Sequence, residues 1–528
     1  MGGPWQEKCL AARVQENETL GDMLVGPMKL CPDRVAIYFH DREITYKQLD
    51  DLSNQVANGL IALGIQPGDR VCTHLDNRPE FIAIYLGIQR VAAVLVPTNI
   101  MYTAEEVEHI ITDSGAKVLF TLPIVADKVA KINAPELEKV IELGDKKRPE
   151  SLDWEEFLAN QPTTRPNVKK DPAKVAIIQY TSGTTGKPKG AMVSDNNILA
   201  VIRNTTDLPS GVDPLESDVV MCVLPLFHSY ALNLVIARTF LSAVSMVLHP
   251  RFDATAVFAD FEKYKVTVFY GAPPMYHAFV NTPGLEKYDA KSLRMAGSGA
   301  APLPVVIMEK VKALTGVQIS EGYRLSETAP TLSTNMAGPV NKPGAVGPPI
   351  KEVQLKIVDD DDNEVPQGEV GEVCAQGPNI FLGYWNRPEA TAEAMKGGWF
   401  HTGDMGRFDE DGYLYIVDRK KDMIVASGYN VYPIEIENVL LRHPKIKDCA
   451  VIGVPDEYRG ESVKACIVLH DGQEMDQDEL EAYCREHMAA FKLPKQMSIR
   501  KELPKNPTGK ILKRVLREEE GGITKAAT

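Results

Sequence analysis

Tyr180-Thr-Ser-Gly-Thr-Thr-Gly-Lys-Pro-Lys-Gly190 is the stretch on which the reading of this chain turns. Ahead of it, the apolar run Val175-Ala-Ile-Ile178 is expected to be a buried strand. Behind it, Ile198, Leu199, Val201 and Ile202 fall on one face of a helix. A strand, a hydroxyl- and glycine-rich turn and then a helix would offer bare backbone N–H groups to an anion. Gly183 and Gly186 allow close approach of a ligand to the backbone. Ser182, Thr184 and Thr185 add hydroxyls, and Lys187 and Lys189 add charge, so the segment suits phosphates. An ordinary surface loop draws on the same residue types, and only the flanking elements argue against it. The segment is not a Walker A loop, because two residues separate its glycines and Pro188 follows Lys187.

The wider composition narrows the class. A chain of 528 residues exceeds one ordinary core, so two or more domains are expected. Its 44% hydrophobic and 25% charged residues are those of a globular protein. A net charge of -14 opposes nucleic-acid binding, which needs a basic surface. Lys492 to Arg517 departs from that balance, with nine Lys/Arg against Glu502 alone. Such a segment suits phosphate-rich small ligands, and equally a solvated charged face. The eight scattered cysteines contain no C-x-x-C pair, which fits a reducing cytoplasm better than disulfides or a zinc site. The first residues carry no apolar signal core, and Lys-Ala-Ala-Thr528 is not a peroxisomal tripeptide, so a cytoplasmic location is expected. Ala231 to Leu248 is the most membrane-like run, but Asn233 and Arg238 make it read as a buried helix rather than a span. Asp359-Asp-Asp-Asp-Asn363 reads as a solvated turn, since Glu364 stands where a calcium loop needs glycine.

Strand and helix signals alternate along residues 35–120 and again along 175–320. Val35–Tyr38 and Val118–Phe120 read as strands. Leu49, Val56, Leu60 and Leu63 line a helix ending at Gly64, and Thr103-Ala-Glu-Glu106 is a capping box. This is the pattern of α/β layers around largely parallel sheets. From 347 to 417 the texture becomes short strands with Gly, Asp and Asn turns, a β-rich subdomain. After Lys420 follow a helix opened at Pro433, strands at Ala450–Gly453 and Val463–Val468, and a helix at Glu479–Met488. The expected architecture is an α/β N-terminal domain over residues 1–420 and a small α+β C-terminal domain over 421–528, with the boundary at Arg419-Lys-Lys421.

Further motifs follow the first in a fixed order. They are Ser298-Gly-Ala-Ala-Pro-Leu303, Glu321-Gly-Tyr-Arg-Leu-Ser-Glu-Thr328, Trp399-Phe-His-Thr-Gly-Asp404, Asp418-Arg-Lys-Lys-Asp422, Gly428-Tyr-Asn-Val-Tyr-Pro-Ile-Glu435 and Pro507-Thr-Gly-Lys510. From about residue 20 to residue 517 the chain resembles the adenylate-forming superfamily of acyl-CoA synthetases, luciferases and peptide-synthetase adenylation domains.

The resemblance implies a chemistry and a site. A carboxylate attacks the α-phosphorus of ATP, giving acyl-AMP and pyrophosphate, and CoA then takes the acyl group. Thr181, Ser182, Gly183, Thr184, Thr185, Gly186, Lys187 and Lys189 would cradle the phosphates. Glu327 would hold Mg²⁺, and Ser326 would hydrogen-bond the α-phosphate. Tyr323 would stack on adenine beside Ala300 and Ala301, within the stretch that includes Glu321 and Gly322. Asp404 would bind the ribose, with Arg419 supporting it. Lys510 would bridge the incoming carboxylate and the α-phosphate. Lys421 falls on the hinge about which the small domain rotates, removing Lys510 and bringing Gly428 and Tyr429 to the CoA channel. His228, Tyr270, Gly271 and Arg324 would line the acyl pocket, although a structural histidine fits His228 as well.

The chain departs from the family pattern at Asp195, where many relatives have His, and at Ser326, which replaces Thr. Asn430 replaces a basic residue seen in some relatives. Arg324 replaces the glycine after the stacking aromatic. A guanidinium there should pair with a protein carboxylate, the favoured reading, or with a second polar group on the substrate. The pocket is then expected to be shallow and to take compact short-to-medium, branched, cyclic or aromatic acids. The expected function is an AMP-forming acyl-CoA synthetase, with the acid, ATP and CoA as partners and a homodimer as an allowed assembly. Its rivals are a stand-alone adenylation enzyme that loads a carrier protein, a longer-chain fatty acid CoA ligase, and a catalytically silent nucleotide binder. Retention of Lys510, Glu327 and Asp404 argues against the last.

Overall fold

The structure is a computed structural model that describes residues 4–12, 18–145, 148–181, 188–206, 208–209, 213–426, 429–456, 460–505 and 509–521. Two large sheets form the N-terminal part. In the first, six parallel strands run in the spatial order Leu152–Asp153, Lys139–Glu142, Ala116–Thr121, Arg70–His74, Val94–Thr98 and Val175–Thr181, with the antiparallel Lys189–Ser194 at the edge. In the second, the parallel strands Ile319–Arg324, Met295–Ser298, Val268–Gly271, Val219–Cys222, Ser245–Leu248 and Val35–Phe39 lie side by side between antiparallel edges at Thr331–Thr334 and Arg42–Thr45. Strands such as Val94–Thr98 and Met295–Ser298 are buried at every residue. That burial on both faces is why they read as apolar runs without alternation.

The helix signals hold where a cap fixes them. Thr103 accepts from the Glu106 N–H while Glu106 accepts from the Thr103 N–H, and Gly115 ends that helix at φ +62°. Tyr46–Ala62 buries Leu49, Val56 and Leu60. One expectation is corrected. Ala231 to Leu248 is not a single buried helix but a π-helical run Tyr230–Ile236, an α-helix Ala237–Leu241 and a strand Ser245–Leu248. Ala243, at φ +52°, makes the break. Met246 and Val247 then find parallel partners on both sides, which a continued helix would leave unpaired.

The β-rich region is a four-stranded antiparallel sheet of Gln354–Val358, Gly371–Gln376, Phe400–Phe408 and Leu414–Arg419. Asp359 accepts from the N–H groups of Asp361 and Asn363, making the acidic run a turn. Beyond Lys420, the Ile446–Asp456 and Gly460–Leu469 hairpin carries a second small sheet, covered by helices Pro433–Leu440, Gln477–His487 and Lys513–Glu519 with its own apolar core. The molecule thus has mixed α/β sheets in a large N-terminal domain and a smaller C-terminal one. Among the described residues no helix is long and apolar enough to cross a membrane.

Candidate functional site

The site lies where the C-terminal ends of the parallel strands of the second sheet meet the Val175–Thr181 hairpin, the usual place for ligands in open α/β sheets. Ser182, Gly183, Thr184, Thr185, Gly186 and Lys187 lie outside the described residues. Their stem is described, and it corrects the expected strand–turn–helix. Thr181 pairs with Lys189 and Tyr180 with Gly190, so the segment joins two antiparallel strands. The helix Asp195–Asn204 starts only after the second of them. Hence the segment follows a strand and precedes a second strand, and no helix N-terminus adjoins it. The stem is braced from both sides. Tyr180 Oη donates to Asp113 at 2.7 Å, and Arg387 pairs with the same carboxylate at 2.7 Å. The Trp385 backbone N–H donates to Gly190 O at 2.8 Å. Any side chain at Gly190 would meet Ile178 at 2.5 Å.

Lys189 projects from the second strand of the stem, its Nζ 5.5 Å from the centre of the Tyr384 ring. Tyr384 Oη in turn donates to Glu327 Oε1 at 3.0 Å. Burial raises the Glu327 carboxyl above its ordinary range, and the Tyr384 hydrogen bond works against that rise. Beside it, Ser326 Oγ lies 3.3 Å from Ser229 Oγ.

Strand alternation separates the two neighbours at the end of Ile319–Arg324. Tyr323 is buried and donates to Asp404 Oδ2 at 2.5 Å. Asp404 Oδ1 lies 3.4 Å from Arg419 Nε, and the two residues face each other in adjacent strands. Tyr323, Asp404 and Arg419 are therefore one contiguous group. Ala300 sits at φ +74° in the Ser298–Leu303 bend, a conformation that costs a non-glycine residue roughly 1 kcal/mol or more. Glu321 shares the strand face of Tyr323 but is engaged elsewhere: it is buried and accepts from the Leu303 N–H at 2.9 Å, and burial pushes its carboxyl up to about 8. Its hydrogen bond holds the Ser298–Leu303 bend.

Lys510 comes to this group from the C-terminal domain. Gly509, just before it, lies against the helix Pro273–Asn281, where a Cβ would meet Pro274 at 2.3 Å. Gly509 also has φ +82°, so only glycine serves there. The Arg419 charge first, and burial second, lower the Lys510 ammonium to about 7, with Asp404 and Asp422 opposing the shift. Burial, with Lys510 nearby, lowers His228 to about 4. His228 is thus neutral near pH 7, and its Nδ1 accepts from the Tyr230 N–H at 3.3 Å, which puts its proton on Nε2. Lys421 lies in a short turn, Lys420–Asp422, and burial lowers it to about 8. That turn is tied to both domains: Lys420 pairs with Asp360 and Glu372, and Asp422 with Arg517.

The basic segment follows the bland reading. Lys492, Lys495, Arg500, Lys505, Lys513, Arg514 and Arg517 all pair with carboxylates of the C-terminal domain or its hinge. Asp195 is likewise structural. It is buried, pairs with Lys170 at 2.7 Å and accepts from the Leu20 N–H at 2.6 Å.

On the other face of the strand, Arg324 overturns its favoured expectation. No carboxylate among the described residues pairs with it. Its Nη1 donates to Ser298 O and Gly322 O, each at 3.1 Å, and its Cζ lies 4.6 Å from the centre of the Tyr230 ring. Carbonyl dipoles and an aromatic face take the place of the anion. Tyr270 packs edge-on against Tyr230, with ring centres 6.1 Å apart, and Gly271 lies against Phe269 and Tyr276. Gly428 lies outside the described residues. Tyr429 is exposed and stacks on Phe491 with ring centres 4.9 Å apart.

Tyr384, Tyr230, Ser229 and Asp422 escaped the sequence reading as parts of the site. Tyr384 lies in Gly-Tyr-Trp-Asn-Arg387, and no spacing ties that aromatic pair to residues 190 or 327. Tyr230 and Ser229 directly follow His228, whose neighbourhood was the one available signal.

Comparison with known proteins agrees with this geometry. The family model described as AMP-binding enzyme matches residues 28–385, and that of the AMP-binding enzyme C-terminal domain matches 435–510. A long-chain-fatty-acid–CoA ligase of Bacillus subtilis (strain 168) is 36% identical, the alignment covering 96% of this chain and 95% of the relative. A feruloyl-CoA synthase of Amycolatopsis sp is 37% identical over 96% of this chain and 100% of its own length. Among solved structures, an anthranilate CoA ligase in complex with anthranoyl-AMP superposes with a TM-score of 0.89, at 30% identity, over 96% of this chain and 98% of that one.

Proposed function

We propose, for a chain that belongs to the AMP-binding enzyme family and is an AMP-forming acid–thiol ligase of its acyl-CoA synthetase branch, a compact carboxylic acid as substrate and a domain rotation between its two half-reactions. ATP and CoA are its co-substrates, as the family requires. The observation that carries the reading is the approach of Lys510, from the second domain, to Arg419 and Asp404. A weak carboxylate nucleophile must reach a phosphorus inside a polyanion, and cations fixed beforehand offset the charge that grows there. Lys510 would bridge the acid and the α-phosphate, Lys189 and residues 181–187 would hold the outer phosphates, Tyr323 would stack on the base, and Asp404 would accept from the ribose hydroxyls.

Mg²⁺ fits the residues present. Among the described residues no cluster of three or more His, Cys, Asp or Glu is formed, while Glu327 offers one carboxylate held by Tyr384. One protein oxygen alongside phosphates and water is a donor set that Mg²⁺ accepts, and the ion would neutralise phosphate charge. For the second half-reaction, residues 421–528 would turn about Lys421, withdrawing Lys510 and bringing Gly428 and Tyr429 to the pantetheine channel.

Identity to relatives leaves the acid open, since relatives named for long-chain fatty acids and for ferulate are about equally similar. The packing of Arg324 over glycines supports the compact class. A Cβ at Gly299 would lie 2.6 Å from Arg324 Nη1 and one at Gly322 2.8 Å from it, so the guanidinium occupies space that a long chain would need. Pyrophosphate release with and without CoA, across straight-chain acids of rising length and aromatic acids, tests this. Release should require a compact acid, and thioester should form only with CoA. Arg324→Gly should shift the profile to longer chains. A wild-type preference for palmitate-length acids, or an unchanged profile in the variant, refutes the compact slot.

A further inference from the structure

The slot also holds polar atoms that nothing in the protein uses. Arg324 spends Nη1 on two carbonyls, but its Nε is sealed from solvent without a hydrogen-bond partner. The hydroxyl of Tyr230 is sealed and unpartnered too. These groups are neighbours. The guanidinium lies over the Tyr230 ring and bonds the Ser298 carbonyl, and a Cβ at Gly297 would stand 3.5 Å from Tyr230 Oη. Buried donors without acceptors each cost roughly 1–3 kcal/mol, so two in one place call for an occupant that satisfies them. The occupant must bring acceptors, because a guanidinium has donors only. No carboxylate among the described residues forms an ion pair with Arg324, although Glu321 feels its charge. The nearby Glu321 carboxyl already accepts from the Leu303 N–H. The donors lie over Gly297, Gly299 and Gly322 at the C-terminal ends of parallel strands, on the face opposite the Tyr323–Asp404 pair.

We propose that Arg324 and the Tyr230 hydroxyl form a polar subsite selecting a carboxylic acid that carries a second oxygen acceptor at its far end, a second carboxylate ahead of a neutral hydroxyl. This rests on the acyl-CoA synthetase reading and narrows its substrate. An acid with an apolar far end would leave the same donors dry and unpaired, the situation in which sites discriminate most strongly. A second carboxylate matches the planar fork of the guanidinium and also supplies an ion-pair partner.

The test is kcat/KM from pyrophosphate release with CoA present, for matched acids: terephthalate against 4-methylbenzoate, adipate against hexanoate, and 4-hydroxybenzoate as the neutral acceptor. The wild type should favour each diacid over its apolar partner by more than about tenfold, with 4-hydroxybenzoate between. Arg324→Met keeps length but no donor, and should bring the ratio to about one. Tyr230→Phe removes a single hydroxyl, so it keeps the packing even if the first variant folds poorly, and should lower the ratio severalfold. Turnover of 4-methylbenzoate or hexanoate by the wild type as fast as of the diacids overturns the subsite and leaves the ligase reading standing. Ratios unchanged in both variants overturn it equally. Absence of pyrophosphate release with every acid overturns both.

Discussion

Lys510→Ala should separate the two half-reactions, and the structure sets both the size and the pH dependence of the effect. Lys510 is held beside Arg419, whose charge is the largest cause lowering it to about 7. In the unfolded chain a lysine titrates near 10.4. Between those values the unfolded chain binds the extra proton, so this group's contribution to stability improves as pH rises from 7 to 10, and its penalty is full below 7. Removing the ammonium at pH 7 should therefore leave the melting temperature equal or higher, which excludes unfolding as the reason for lost activity. Adenylation should nevertheless fall. A unit charge about 4 Å from a developing anion is worth about 4 kcal/mol at an effective dielectric constant near 20, and single contacts of this kind typically cost about 10²–10³ in rate. Acyl-AMP formation from acid and ATP, followed by pyrophosphate release, measures that step. Conversion of supplied acyl-AMP and CoA to thioester measures the other, and should remain within a few-fold of wild type. The wild-type kcat/KM for adenylation should also decline above about pH 7, as the free enzyme loses this proton, and Lys510→Arg should remove that decline. Equal loss of both half-reactions in Lys510→Ala, or a lowered melting temperature, would refute the reasoning.

Three other perturbations probe the rest of the site. Lys421→Pro fixes φ in the Lys420–Asp422 turn, so adenylation should persist while thioester formation falls by more than about tenfold; normal turnover with CoA would end the rotation model. Tyr384→Phe removes the donor to Glu327, and the Mg²⁺ concentration giving half-maximal adenylation should rise about 10-fold or more; an unchanged titration would show that the hydroxyl does not orient the carboxylate. Asp195→Ala strands Lys170 in the interior, costing about 3–5 kcal/mol in a denaturant melt, while Lys170→Met with Asp195→Leu should recover most of it; a single variant as stable as wild type would show the pair is not buried as described.

The sequence by itself determined the architecture of layers, the two-domain organisation and the family. Those depend on local signals: fully apolar strands, the Thr103–Glu106 cap, the turn residues of 347–417 and an ordered set of motifs. What it could not determine were facts created by pairing between distant residues. The stem around the glycine-rich segment is a pair of antiparallel strands because Lys189–Ser194 finds its partner in Val175–Thr181, and a six-residue strand between a glycine-rich segment and a helix leaves little periodicity to read. The run from Ala231 splits into helix and strand because Ser245–Leu248 has open places on both sides in a parallel sheet, and apolar composition alone suits either element. Tyr384 joins the site through Glu327, 57 residues away, and Lys510 through Arg419, 91 residues away, contacts that only the folded chain brings about. Arg324 shows the limit most plainly. Its charge and its place after Tyr323 are legible in the sequence, but the choice between a carboxylate, a ring and two carbonyls was settled by which groups the strand ends and the Tyr230–Ile236 helix carry within reach of its guanidinium.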